Sequence, residues 1–242
     1  QNATTTWLNN TQTTTQNQLD TISSQVNQAN LALETAKLNY ENQKNTLSQK
    51  ESDIYNNSKI SINNSIILWN NIIDFLDTIF WVTESNKSKN DSYEIYLWAK
   101  NTQLKSQIEN DLNKLIVDFN WIKSNYWTIK SNEDIEILLN KTYSLFNNDV
   151  ANILKLAYQV MDSSIDTTTL TQTTLNTYKT NITNFQTNTQ SVILTVSWNY
   201  FVWLKWSLDN ISNFKKESRN ALDMLKKQVE VAEKQVEIAN KN

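Results

Sequence analysis

Apolar residues recur along this chain at spacings of three and four, the period of an α-helix. Leu19, Ile22, Val26, Ala29, Leu33, Ala36 and Tyr40 form a heptad seam near the start. Leu222, Leu225, Val229, Ala232, Val236 and Ala239 form another near the end, where QVEVAEK (228–234) is followed one heptad later by QVEIANK (235–241). Each seam needs a partner helix, and the simplest partner is the other seam. Between them Ile62, Ile66, Trp69, Ile73, Leu76 and Phe80 form a more aromatic seam, out of phase with the first. The break falls near Asn56-Asn57-Ser58 and reads as a stutter or kink rather than a loop. Three further helical runs follow: Leu104 to Ile122, Leu139 to Val160, and Leu175 to Val196, the last running on into the C-terminal seam.

Polar, cap-forming residues mark the connections. Thr83 to Asp91 is one, with Asp91 or Ser92 as the next N-cap. Ser124 to Asn132 is the second, where Ser131 or Asn132 caps a helix whose first turn carries Glu133 and Asp134, acids suited to the positive end of a helix dipole. Asp162 to Thr169 is the third, capped by Thr169 or Thr171. Helix one then runs over about 17–82, two middle helices take about 30 residues each, and helix four runs over about 170–240; at 1.5 Å per residue the long ones approach roughly 100 Å. The middle helices cover only half of that length. The expected fold is therefore all-α: a long antiparallel helical hairpin with a four-helix bundle at its distal end. The chain is read as one elongated domain over 1–242, with 17–55 and 212–240 as a two-helix coiled-coil stalk and 60–205 as the bundle. Facing residue numbers should total roughly 260 in such a stalk, which sets Ala29 near Val231.

Composition narrows the chemistry. The 242 residues include no Gly, Pro, Cys or His. Without His or Cys there is no ordinary zinc site, Ser-His-Asp triad, thiol nucleophile or disulfide, and the Glu-x-x-His pairs of a di-iron bundle are missing. Without Gly there is no phosphate-cradling loop. Neither Gly nor Pro belongs in a helix interior, so their absence suits long helices. Net charge is −3 from 22 basic and 25 acidic residues, which gives no electrostatic footprint for a nucleic acid. No run is long and apolar enough for a membrane span; the nearest, 193–208, is interrupted by Thr195, Ser197, Asn199, Lys205 and Ser207. Gln1 to Gln18 is polar and does not read as a signal peptide, and the chain starts without Met, as an excised piece would.

The 37 Asn set against 10 Ala and 1 Arg point to an AT-rich gene, in which 9 Trp stand out. Two explanations are open. Some or all Trp positions are UGA codons read as Gly in the source organism, with Trp81, Trp127 and Trp203 where Gly would be unremarkable; or the Trp residues form a core.

Candidate sites are few. The cluster Trp198, Tyr200, Phe201, Val202, Trp203, Leu204, Trp206 is a wide apolar face, read as bundle core before a lipid or ligand surface. Carboxylates at Asp74 and Asp77, at Glu133, Asp134 and Glu136, and at Asp162 and Asp166 read as caps and surface groups rather than as a catalytic pair or cation site. No catalytic residue, cofactor or metal is expected. The expected structural site is the stalk seam itself, the thirteen terminal heptad residues named above.

The segments QVNQANLALETAKLNYENQK (25–44) and ALDMLKKQVEVAEKQVEIA (221–239) resemble the helical hairpin of bacterial membrane fusion proteins, the periplasmic adaptors of export and efflux systems. The likeness lies in an Ala-x-x-x-Leu/Tyr cadence with Gln, Glu and Lys between, over about a quarter of the chain. It implies a non-catalytic interaction module in the bacterial cell envelope, outside the cytoplasm. Implied partners are proteins of a transport complex, including further copies of the chain, with membrane attachment only through flanking segments. In that family the hairpin is inserted between halves of a lipoyl-like β domain; nothing strand-like flanks it here, so the chain corresponds to the hairpin portion alone. The Arg/Leu/Ser tip motif that docks onto outer-membrane channels is missing, since the single Arg219 falls on the stalk, so that docking function does not carry over. The seams would supply stiffness, and the loops 83–91 and 163–169 the contacts. The alternative is the extracellular ligand-sensing four-helix bundle of a membrane receptor, whose long helices would continue into membrane spans. A carboxylate-only enzyme is the third reading, and its buried acid pair in a cleft is not expected.

Overall fold

The structure, a computed structural model, describes residues 2–83, 86, 93–193 and 204–241. Among the described residues the chain is all-α, with no strand. Its elements are α1 (Asn2–Phe80), α2 (Glu94–Leu97), α3 (Gln103–Tyr126), α4 (Asn132–Ser144), a π-helical turn (Leu145–Val150), α5 (Ala151–Asp162), α6 (Gln172–Ile193) and α7 (Leu204–Lys241). The chain divides into two compact units, Gln1–Ser52 with Asn213–Asn242, and Asp53–Ser212.

The first unit has a thin interior. Positions 22, 26, 29, 33, 36, 40, 43 and 47 of α1 are half-buried, and their neighbours are exposed. On α7, Ala232 and Ala239 are buried and Leu222, Leu225, Val229 and Val236 are half-buried. Two ion pairs join the segments, Lys37–Glu233 at 3.6 Å and Lys50–Glu217 at 3.7 Å. Their numbers total 270 and 267, so the expected pairing of Ala29 with Val231 is corrected: Ala29 falls level with the last described turn of α7. The helix also begins at Asn2 rather than near 17. Hydrophobic period could not show this, because the extra turns bury nothing. All described residues before Ile22 are exposed, and their threonines close hydrogen bonds onto carbonyls four residues back, such as Thr6 to Asn2 and Thr15 to Thr11, both at 2.9 Å.

The second unit holds the core. One apolar cluster draws Ile62, Trp69, Ile72 and Leu76 from α1, Ile108, Leu112, Phe119 and Ile122 from α3, Phe146 from the π turn, Ile153 and Ala157 from α5, and Leu175 and Ile182 from α6. Trp69 stacks on Phe119 at 4.5 Å and 17°, and Phe119 meets Phe146 edge-on at 5.6 Å. Phe75 reaches α6 through Phe185 at 5.4 Å and Tyr178 at 6.1 Å. The close approach of α1 to the start of α7 uses small residues, with the buried Ser61 and Ser207 hydroxyls 2.9 Å apart.

Of the two expected middle helices of about 30 residues, the first is divided into α2 and α3, whereas the second runs unbroken through α4, the π turn and α5 from Asn132 to Asp162. Leu97 and Trp98 are buried and end α2, and α3 restarts at Gln103, whose N–H donates to the Asn101 side chain at 3.3 Å. Ser131 caps α4 in a reciprocal capping box with Asp134. The buried positions Thr142, Phe146 and Val150 are two successive steps of four, one residue more than the heptad alternation allows. The π turn absorbs the extra residue, so both flanking helices keep one face to the core. Thr171 accepts the Thr174 N–H at 3.2 Å at the start of α6.

Candidate functional site

The seam is built by the heptad period of two polar, Gly-free helices. Of its thirteen predicted residues the structure gives twelve a half-buried or buried place. Leu19 is the exception, 54% exposed, because no described segment of α7 lies level with it. Leu47, half-buried one step beyond Gln43, extends the seam past the last predicted position. Gln43 hid that continuation by being polar.

A second set of apolar residues lies outside the seam. Leu31 and Leu38 on α1 are 65% and 59% exposed, one heptad apart. Met224, Val231 and Ile238 on α7 are 59%, 56% and 61% exposed, also one heptad apart. Glu34 and Glu41 stand three residues after the two α1 leucines; Lys227, Lys234 and Lys241 stand three residues after the α7 positions. On a helix such spacing places each charge beside its apolar neighbour. The α1 stripe is thus edged with acids and the α7 stripe with lysines. The exposed apolar positions were present in the sequence but read as part of the background between seam residues.

The carboxylates named from the sequence fall in separate settings. Asp77 is buried at the end of α1 and accepts the Thr83 N–H at 2.7 Å, the Thr83 hydroxyl and the Asn86 side-chain N–H, so it fastens the turn after the helix. Asp74 is exposed. Asp134 accepts the backbone N–H groups of Lys130 and Ser131 at 2.9 and 3.0 Å. The Lys130 bond, then the bonds with Ser131, hold its carboxyl below the usual range. Glu136 accepts the Tyr55 hydroxyl, and Asp162 pairs with Lys179 at 2.5 Å. Among the described residues no group of acids is arranged to hold a metal ion, and no helix is long and apolar enough to cross a membrane.

The predicted contact loops are only partly open. Within 163–169, Ser164 is buried and bonds to the Leu97 and Val160 carbonyls, and the Ile165 N–H bonds to the Tyr96 carbonyl at 2.9 Å. Ile165, Asp166, Thr168 and Thr169 are exposed. Of loop 83–91 only Thr83 and Asn86 are described, and both turn back onto Asp77. Trp198, Tyr200, Phe201, Val202 and Trp203 lie outside the described residues, whereas Leu204 is buried and Trp206 is 36% exposed. Tyr93 stands next to Trp81, ring centroids 5.1 Å apart; burial, then a hydrogen bond with Tyr178, push its phenol above the usual range.

Sequence reasoning missed one cleft. Ala151 and Lys155 of α5 and Thr183, Gln186, Thr187 and Gln190 of α6 line a volume of about 590 Å³. Thr189, which also borders it, is fully buried, and its hydroxyl has no hydrogen-bond partner among the described residues. No family model matches the chain, and no curated protein or solved structure is significantly similar to it.

Proposed function

We propose that the chain is a non-catalytic spacer and interaction module: the helical hairpin part of a membrane fusion (adaptor) protein in an envelope export or efflux system, acting outside the cytoplasm. In this reading 17–55 and 212–240 are an antiparallel two-helix stalk and 60–205 a four-helix bundle at its far end. The observation that carries it is the pair Lys37–Glu233 and Lys50–Glu217, in which a rising number on one side meets a falling number on the other. At that register Leu33 falls level with Val236 and Ala36 with Ala232, which gives the seam residues one another as partners. The ion pairs are exposed and contribute little energy themselves; they report the register.

The mechanism is mechanical. The stalk spaces and orients the bundle, and copies stand side by side with the acid-edged α1 stripe of one against the lysine-edged α7 stripe of the next. Complementary charge sets that choice of face and register, and a head-to-tail contact of this kind closes into a ring when its rotation permits. Two single-cysteine proteins of different size, Leu38→Cys and Val231→Cys, test it against a chain with no thiol background. Mixed in equal amounts and oxidised, they should give the unequal dimer well above the roughly twofold excess over either equal one that random pairing gives. Monomers alone at every concentration, or equal dimers only, would refute side-by-side packing.

A second reading, the ligand-sensing bundle domain of a membrane receptor, draws on the α5–α6 cleft and its unpartnered Thr189 hydroxyl. Loss of any ligand-induced rise in melting temperature on Thr189→Val would favour it over the spacer.

A further inference from the structure

Trp81 has φ 49°, the one positive φ found among the described residues. That is the left-handed region, where a β-carbon crowds the following carbonyl and glycine is the usual occupant. The position has the same preference. Trp81 directly follows Phe80, the last residue of α1, and its N–H donates to the Asp77 carbonyl at 3.0 Å, the backbone closure of a left-handed helix stop. Asp77 then holds Thr83 and Asn86 through its side chain, so the turn is fixed on both sides of residue 81. Trp81 is half-buried and meets the Tyr93 ring at 5.1 Å, yet a bulky residue is an outlier at such a φ.

Among the described residues no other tryptophan has a positive φ. Trp69 is buried and stacked on Phe119, and Trp98 is buried, stacked on Phe80 and covered by the Lys105 ammonium at 5.3 Å. Trp127 has φ −77°, an ordinary right-handed value that asks nothing of glycine. Trp203 lies outside the described residues. Among the described residues the backbone thus selects one position, in a chain whose 242 residues contain no Gly and whose Asn-rich, Ala- and Arg-poor composition fits an AT-rich gene.

We propose that residue 81 is glycine in the protein as its host makes it, its codon being UGA, read there as Gly, while Trp69 is a true tryptophan encoded by UGG. Residue 81 is then the glycine that stops α1 and takes the left-handed turn without a β-carbon. The idea does not depend on the spacer function.

Protein isolated from the source organism and digested with trypsin gives one peptide, 60–87, that carries both positions. Fragmentation should read Trp at 69 and Gly at 81. Trp at 81 would overturn the proposal, as would a UGG codon there. A second measurement uses the recombinant chain: Trp81→Gly should unfold at a urea midpoint equal to or above that of the Trp form, with Trp69→Gly as the contrasting control that lowers it sharply. A Trp81→Gly midpoint below that of the Trp form counts against the proposal.

Discussion

The stacked pair Trp69–Phe119 should act as the energetic centre of the second unit. Phe119 is 2% exposed, lies 4.5 Å from Trp69 and 5.6 Å from Phe146, and so touches the α1 and π-turn faces at once. Truncation to alanine removes a ring from a site that three helical segments hold open, so the cavity collapses poorly. The expected loss is about 3–5 kcal/mol, the range for a buried aromatic. Set against a total stability of about 5–15 kcal/mol, that is a large share. With a urea slope of about 1–3 kcal/mol per molar, a loss of about 4 kcal/mol lowers the midpoint by more than about 1 M. Far-UV circular dichroism during a urea titration reads it directly. A double-mutant cycle isolates the stack: the Trp69→Leu/Phe119→Leu double variant should lose about 0.5–1.5 kcal/mol less than the sum of the two single losses. A Phe119→Ala loss under about 1 kcal/mol, the size of an ordinary substitution, would show that α3 does not pack on α1 through this ring. Strict additivity of the leucine pair would leave the cavity but remove the stacking.

Other expectations follow from single contacts. Ser131→Ala should destabilise by about 0.5–2 kcal/mol in urea, because the α4 cap loses its acceptor for the Asp134 N–H. Asp134 has its pKa lowered in the folded chain, so its stabilisation is present above its ordinary value of 3.8 and is lost as pH falls through the lower folded value; Asp134→Asn should remove that part of the acid-side slope, and an unchanged slope would count against the cap. Thr189→Val should hold or raise the urea midpoint, since it removes a buried hydroxyl that found no partner; a clear drop would reveal a bond or ligand that needs the hydroxyl. Amide hydrogen exchange should be far faster over 2–21 than over 26–47, because the first stretch buries nothing and an isolated helix of that length is marginal; equal protection would place a covering partner on it.

What the sequence made legible follows from which residues report their surroundings. Leu, Ile and Val at steps of three and four mark a buried face, so the all-α class and α1, α3, α5, α6 and α7 could be located from period alone. The α4 start was readable to within two residues, Ser131 or Asn132, because a cap is a local interaction; the reciprocal bond of Ser131 with Asp134 came from the structure. Small and polar residues at close contacts were not: Ser61, Ser65, Thr142 and Ser207 are buried, yet nothing in their chemistry distinguishes them from surface serine and threonine. Helix boundaries failed where burial no longer followed periodicity, at Asn2, where a threonine-rich helix has no core to face, and at Leu97–Gln103, where two apolar residues turn inward and end α2. Leu19 kept the seam's period without its burial, because period shows which side of a helix a residue occupies and not whether anything lies across from it. The apolar stripes at Leu31, Leu38, Met224, Val231 and Ile238 were visible letter by letter, but only their exposure in the fold separates them from the seam.

The π turn at Leu145–Val150 bears on how this chain can change over generations. A helix interior normally rejects a one-residue insertion or deletion, because every later side chain rotates off its neighbours. Here the wide turn already carries a surplus residue, and Asn147 and Asn148 within it are exposed. Loss of either asparagine could be taken up by the turn tightening to an ordinary α-helix, with α5 keeping its face to the core. That makes this short stretch the place where length variation can enter the lineage without destroying the interior.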